Sequence, residues 1–495
     1  MTALLSVLLS MIALSRGPVP EGAQLHIRLT SAVGSYASTP GSAVNAVLIA
    51  PVTANGETIV PAGSTLTGQV KSVTRVGLGL RHETAALDLD FYRITPPAGQ
   101  PIPLFAQVSD VDNGRERVTA DGRIHGVRST GSMCYRVSGY IRTMLGWEIH
   151  AELAEWAIRS LIMEIPEPEI YYPPGVELTL TLTQPLSVGA PLQPLDPVAP
   201  ALADVRRQEL EQIVAAMPDR TAAPPVTGRH PSSGRDADLT NVLLIGTHDQ
   251  IVDAFEASGW TQAGPSSLRD RIHWIRAAAE LRGDEDAPMS LLLLDGAGPD
   301  MYWQKGLNDV AKRHHIRLWK ADRTWRGREI WIGAATRDVD FAYLRPGRKL
   351  AHKIDEAVDQ ERDKVAYDLA FSTCGNILDW IGRPDLPQFT HNATGDPIVT
   401  DGRMVTVELN DCRSPRVSTE TVDSTSIPAH GDRLQRLVRR EILGGRNDLL
   451  RSNPYWRTFE ACRWIVEYLH GRRMEAKRVH PDAEEAGAGI VARRL

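Results

Sequence analysis

The chain has 495 residues, 42% hydrophobic and 23% charged, with a net charge of −6. That length exceeds what one hydrophobic core fills, so several domains are expected, and the balanced charge gives no whole-chain case for nucleic acid as a partner. The charge is uneven, however. From position 431 onward fourteen Lys and Arg stand against nine Asp and Glu, a pattern of either a solvated helix face or a surface that touches acidic lipid or protein.

Positions 3–14 read ALLSVLLSMIAL, an apolar run too short to span a bilayer. With the small residues Ala13 and Ser15 behind it, the run predicts a signal peptide or N-terminal anchor over 1–22, and an exported chain, periplasmic or anchored in the cell envelope. Cys134, Cys374, Cys412 and Cys462 show no metal-ligand spacing. Export permits one bridge, for which Cys374–Cys412 is the candidate because both fall in one module; buried free thiols are the alternative.

From 23 to 189 short strands alternate with Gly, Pro and Asn turns, which predicts an all-β barrel or sandwich. The period turns helical over 130–166, with Leu153, Trp156, Ala157, Ser160 and Leu161 on one face of an insertion. Residues 190–238 read as a proline-rich linker with one helix at 203–217. Strands then separate helices over 239–412, the pattern of an α/β (α+β) layered domain. A helical extension and a disordered tail are expected over 413–495.

The polar residues that could carry chemistry cluster in the 239–412 module. In the strand 313–319, alternation puts His315, Arg317 and Trp319 on one face, and His314, Ile316 and Leu318 on the other, so the two histidines cannot share a metal. One is expected half-buried, the other in a polar groove. Arg337 and Asp338 follow a strand ending at Thr336. On the next helix Val358, Val365 and Leu369 set the buried phase, and Glu361 and Arg362 fall in it, so each needs a partner. Asp338 is the expected partner of Arg362, through a bidentate contact. Asp355, Asp359 and Asp363 recur every four residues with His352 just before them. Such a stripe suits a helix N-terminus, structural ion pairs or a divalent ion; no cofactor is otherwise indicated.

Two resemblances follow from these phrases. The segments 241–247, 254–260, 313–319, 331–338 and 352–363 occur together and in order as in the LssY C-terminal domain family, over about 239–412. The resemblance implies an α/β domain from a family named for a secretion-locus component, and brings no catalytic residues with it. The family's aromatic stretch is replaced here by LLLLDGAGPD at 291–300. The punctuation Thr39-Pro40-Gly41, Val60-Pro61-Ala62-Gly63 and Pro173-Pro174-Gly175 resembles the TrbI-like β-barrel of conjugation channels, over 25–188. In that pattern a helical excursion contacts the outer membrane. The expectation is therefore an envelope accessory protein that binds or scaffolds a protein or lipid partner, with membrane association and no nucleic acid. The alternative is a phosphoesterase-like hydrolase with His315, Asp338, His352, Asp355 and Asp359 around one cleft.

Overall fold

The computed structural model describes residues 18–54, 57–97, 99–112, 114–129, 166–187, 204–224, 235–263, 289–305, 313–344, 349–412, 431–452 and 462. The N-terminal apolar run, the insertion expected at 130–166 up to residue 165, residues 264–288 and the expected C-terminal tail lie outside them.

The first sheet comprises β1 (Gln24–Leu29), β2 (Ala43–Leu48), β3 (Thr65–Thr74), β4 (Ala86–Thr95), β5 (Ile102–Pro103), β6 (Ala106–Val111), β7 (Arg117–Val118), β8 (Ile124–His125) and β9 (Glu177–Leu182). Its order is β7-β8-β4-β3-β2-β1-β9-β6, with β5 beside β4. The path curls until its ends meet: the Gln107 amide of β6 donates to the Ala120 carbonyl beyond β7 at 3.2 Å. The result is a nearly closed barrel. Leu25, Ile27 and Leu29 of β1 alternate into its core with Leu178, Leu180 and Leu182 of β9.

The second sheet is mixed. It comprises β10 (Val242–Ile245), β11 (Thr261–Gln262), β12 (Met301–Lys305), β13 (Arg313–Trp325), β14 (Arg328–Leu344), β15 (Lys349–Ile354), β16 (Gly375–Gly382) and β17 (Arg403–Leu409). The order is β11-β12-β13-β14-β10-β17-β16, with β15 on β14 and one parallel pair, β10 with β17. The Val-Leu-Leu-Ile run of β10 is buried on both sides, as a strand covered on both faces must be. Val242 and Leu244 join one core with Ile251, Ala254 and Phe255 of helix α2 (His248–Ala257) and Val365, Ala366 and Leu369 of α3 (Val358–Phe371). Leu243 and Ile245 join the other with Leu210 and Val214 of α1 (Asp204–Ala215). Helix α2 starts with a reciprocal capping box between Thr247 and Gln250.

The chain is thus multidomain and mostly β, with a barrel-like first part and an α/β second part. Two details depart from the sequence reading. The helix assigned to the linker is part of the second core, because Leu210, Val214 and Met217 bury against the sheet. And β14 runs well past Thr336, so Arg337 and Asp338 lie within a strand rather than beyond one. Helix α4 (Arg433–Ser452) belongs with Gly77–Arg81 to a second compact unit, separate from the unit that holds both sheets.

Cys374 and Cys412 form a disulfide, pinning the residue before β16 to the segment after β17. Replacing both with Ser is expected to lower stability by about 3–4 kcal/mol, from the loop-closure entropy of a bridge of this span. Urea unfolding of the variant against the oxidised protein checks it, and an unchanged midpoint would contradict it.

Candidate functional site: a buried ionic junction

Three adjacent strands place three basic residues in a single row. Lys305 of β12 pairs with His314 of β13, and His314 pairs with Arg337 of β14. All three point to the face covered by α3, and Lys305 and His314 are buried. Three basic groups side by side out of water are prohibitive unless each meets an acceptor.

The acceptors come from two directions. Helix α3 turns Glu361, Lys364 and Asp368 toward the row, spaced three and four residues apart on one stripe. The barrel sends Glu177 from β9, and Asp110 and Asp112 from β6 and its end. Glu177 is 1% exposed and accepts from Lys305 Nζ at 2.8 Å, Lys364 Nζ at 2.6 Å and Arg28 Nη2 at 2.8 Å. Asp368 accepts from Lys305 at 2.9 Å, from Lys364 at 3.3 Å and from the Trp260 indole at 3.0 Å. Arg337 reaches Asp110 at 2.6 Å and lies 3.9 Å from Asp112, which accepts from the Thr179 hydroxyl at 2.9 Å and has His26 at 3.9 Å. Among the described residues, Arg28, Lys305, Lys364 and Arg337 therefore face Glu177, Asp368, Asp110 and Asp112, and the charges balance.

The electrostatics follow from this packing. Burial alone would raise the Glu177 carboxyl, but Lys305, Lys364 and Arg28 outweigh it and hold the group well below the usual range. Burial lowers Lys305, against the pull of Asp368 and Glu177. Lys364 and Arg337 are held charged by their carboxylates despite burial.

His314 meets Glu361 at 2.6 Å between Nδ1 and Oε2. Burial, with Lys364 and Arg337 nearby, pushes His314 well below its usual value, and burial pushes Glu361 well above its own. Both directions favour the neutral pair, with one proton held between them. His314 Nε2 and Glu361 Oε1 have no hydrogen-bond partner among the described residues.

The other candidates fall elsewhere. On the opposite face of β13, His315 Nε2 bonds the Thr336 hydroxyl at 2.8 Å and its Nδ1 is 3.8 Å from Asp338. Arg313 donates to Asp338 at 2.9 Å, and Arg317 to Asp238 at 3.3 Å. Both histidines are fully buried, so neither sits in an open groove. Asp338 does not pair with Arg362. Its odd-even position along β14 turns it to the face away from α3, where Arg313 is its cross-strand neighbour. Arg362 is held instead by Asp359 at 3.2 Å, Asp363 at 2.8 Å and Asp401 at 2.6 Å. Asp355 precedes the helix and accepts from the Ala357 amide, so the three aspartates form no helical stripe. His352 lies opposite Phe341 in the ladder, its side chain outside the described residues. No group of three or more metal-ligating side chains occurs among the described residues.

These observations define a β-rich protein in which an α/β layer is keyed onto a barrel-like sheet by buried charge. Residues 217–404 match the family described as LssY C-terminus. The match starts after α1 and ends within β17, and the barrel-like sheet lies outside it. Among solved structures, ComB10 of the Com type IV secretion system of Helicobacter pylori is similar at 13% identity and a TM-score of 0.21. It covers 35% of this chain and 92% of that one; so slight a likeness carries no inference. No curated protein matches the chain.

Two outcomes are expected. Glu177→Ala leaves three cations without their common carboxylate and costs about 3–5 kcal/mol, read from the urea midpoint; a loss under about 1 kcal/mol would fit a surface pair instead. The His314–Glu361 pair gives a pH signature. Above the free histidine value of 6.5 the unfolded pair holds no proton while the folded pair keeps one, so stability falls by about 1.4 kcal/mol per pH unit. Below the free glutamate value of 4.5 the unfolded pair holds two protons, and stability falls again. Glu361→Gln should abolish the alkaline decline and keep the acidic one, now beginning near 6.5. Identical alkaline slopes in both proteins would place the proton elsewhere.

Proposed function

We propose that this chain is an exported accessory protein of the cell envelope, in which the barrel-like sheet and the LssY C-terminus domain act together as a binding or scaffolding element for an envelope protein or lipid in secretion or surface assembly. The observation that carries this reading is the fate of the polar residues. Arg337 joins one sheet to the other through Asp110, His314 and Glu361 pair with each other under α3, His315, Arg317 and Asp338 pair on the opposite face, and Asp359 and Asp363 hold Arg362. A hydrolase built on His315, Asp338, His352, Asp355 and Asp359 needs them around one cleft, and here His315 with Asp338 turn away from the α3 face. The Cys374–Cys412 bridge agrees with an oxidising compartment. Among the described residues no helix is long and apolar enough to cross a membrane.

Cell fractionation combined with thiol alkylation tests the address. The chain is expected in the envelope fraction, with Cys374 and Cys412 alkylated only after reduction. Recovery in the cytoplasm with both thiols reactive overturns the reading. Turnover of p-nitrophenyl phosphate by the purified chain with added divalent ions, lost in Asp338→Asn at an unchanged melting temperature, establishes the hydrolase instead.

A further inference from the structure

The compact unit formed by Gly77–Arg81 and the chain from Arg433 onward carries a surface that the junction does not use. Eleven large hydrophobic side chains are exposed among the described residues, and five of them (Leu78, Leu80, Leu434, Leu437 and Val438) belong to this small unit. Leu80 is 70% exposed, Leu434 69% and Leu437 57%, values that a soluble surface rarely concentrates in one place.

The local geometry holds these leucines outward. Gly77 and Gly79 have φ of +59° and +82°, a conformation glycine adopts without strain, and the tight turn they make leaves Leu78 and Leu80 in solvent. The inner face of α4 clasps this loop. The buried Arg439 guanidinium donates to the Gly77 carbonyl, and Leu443 packs where a side chain at Gly79 would stand, 2.7 Å from its Cβ position. At 100° per residue, Leu437, Leu434 and Val438 share an arc of about 100° away from that contact over the first two turns, and the exposed Glu441 closes the arc at its C-terminal end. Arg433 and Arg440 border the arc on one side, with Arg436 beyond them. Arg433 and Arg436 are exposed and form no ion pair among the described residues, and Arg81 of the loop is exposed as well. Over its length α4 carries six Arg against one Glu and one Asp.

We propose that this unit is a docking surface for an anionic lipid bilayer. Helix α4 lies in the headgroup plane with Leu434, Leu437 and Val438 turned into the acyl boundary, and Leu78 and Leu80 add a second apolar contact. An exposed apolar arc bordered by arginines is the pattern of an interfacial helix. The arginine stems reach along apolar surface while their guanidinium groups stay at phosphate level. A protein partner of matching shape would need acidic groups around an apolar ridge, whereas an anionic bilayer presents both everywhere. Each arginine at such a surface strengthens partitioning by about fivefold. This goes beyond the scaffold reading and is tested without it.

The experiment is co-sedimentation of the full chain with vesicles of phosphatidylcholine alone, or of phosphatidylcholine and phosphatidylglycerol in equal parts. Wild type is compared with Arg433→Glu/Arg436→Glu and with Leu434→Ser/Leu437→Ser. All four positions are exposed, so melting curves are expected to match. The expected result is binding to the anionic vesicles that weakens with salt. It falls about 25-fold or more in the arginine variant, which replaces two attractive charges with repulsive ones, and about tenfold or more in the leucine variant. Equal binding to both vesicle types overturns the proposal, as does binding undiminished in both variants, which would assign it to another segment. A dimer in light scattering that the leucine variant dissociates, without vesicle binding, gives the surface to a second copy of this chain and overturns it too.

Discussion

The row Lys305–His314–Arg337 sets the terms for everything around it. Strand pairing fixes these side chains next to one another on a face that is otherwise Val, Leu, Ile and Trp. Water cannot solvate them once α3 is in place, and α3 supplies only part of what they require, a neutral partner for His314 in Glu361 and one negative charge in Asp368. The rest comes from Glu177, Asp110 and Asp112 of the barrel-like sheet. The second sheet with its helix is therefore electrostatically incomplete by itself. A buried ion network adds little to stability compared with apolar packing of the same volume, but it penalises any other docking geometry heavily. The junction selects one arrangement of the two sheets by making the others leave charges unpaired.

The opposite face of the second sheet works differently. There Arg313, His315, Arg317 and Asp338 are satisfied by near neighbours in the same domain, Gln304, Thr336 and Asp238 among them. These contacts ask nothing of the barrel. Burial raises the Asp238 carboxyl against the nearby Arg317 guanidinium, a balance internal to the layer. The sheet thus has one face that is completed from the barrel and one whose described contacts lie within the layer, and the two histidines, neighbours in sequence, fall on different faces.

Much of this was legible in the sequence where periodicity carried the information. Alternation along 313–319 separates His314 from His315, and the helical phase from Val358 places Glu361 and Arg362 in the buried stripe, as found. The Asp338–Arg362 pairing failed because strand parity matters as much as helix phase: with β14 continuing past Thr336, neighbouring residues Arg337 and Asp338 take opposite faces. Lys364 and Asp368 were within reach of the same phase argument, since they follow Glu361 by three and seven residues. Glu177 was not. In the strand Glu-Leu-Thr-Leu-Thr-Leu it reads as a solvent-side residue alternating with leucines, and nothing local says that another sheet covers that side. The barrel's turns were readable from Gly and Pro; which surfaces meet is a property of two distant segments at once.

The bridge between Cys374 and Cys412 has a mechanical side. Strand β17 sits between β10 and β16, and the chain leaves it only three residues before Cys412. Tension arriving along the C-terminal segment would ordinarily peel such a strand from its free end, one hydrogen bond after another. With Cys412 tied covalently to the start of β16, that load is shunted into the junction of α3 and β16 before it reaches the ladder. The pairing of β17 with its neighbours is thus shielded from force transmitted through the segment beyond it.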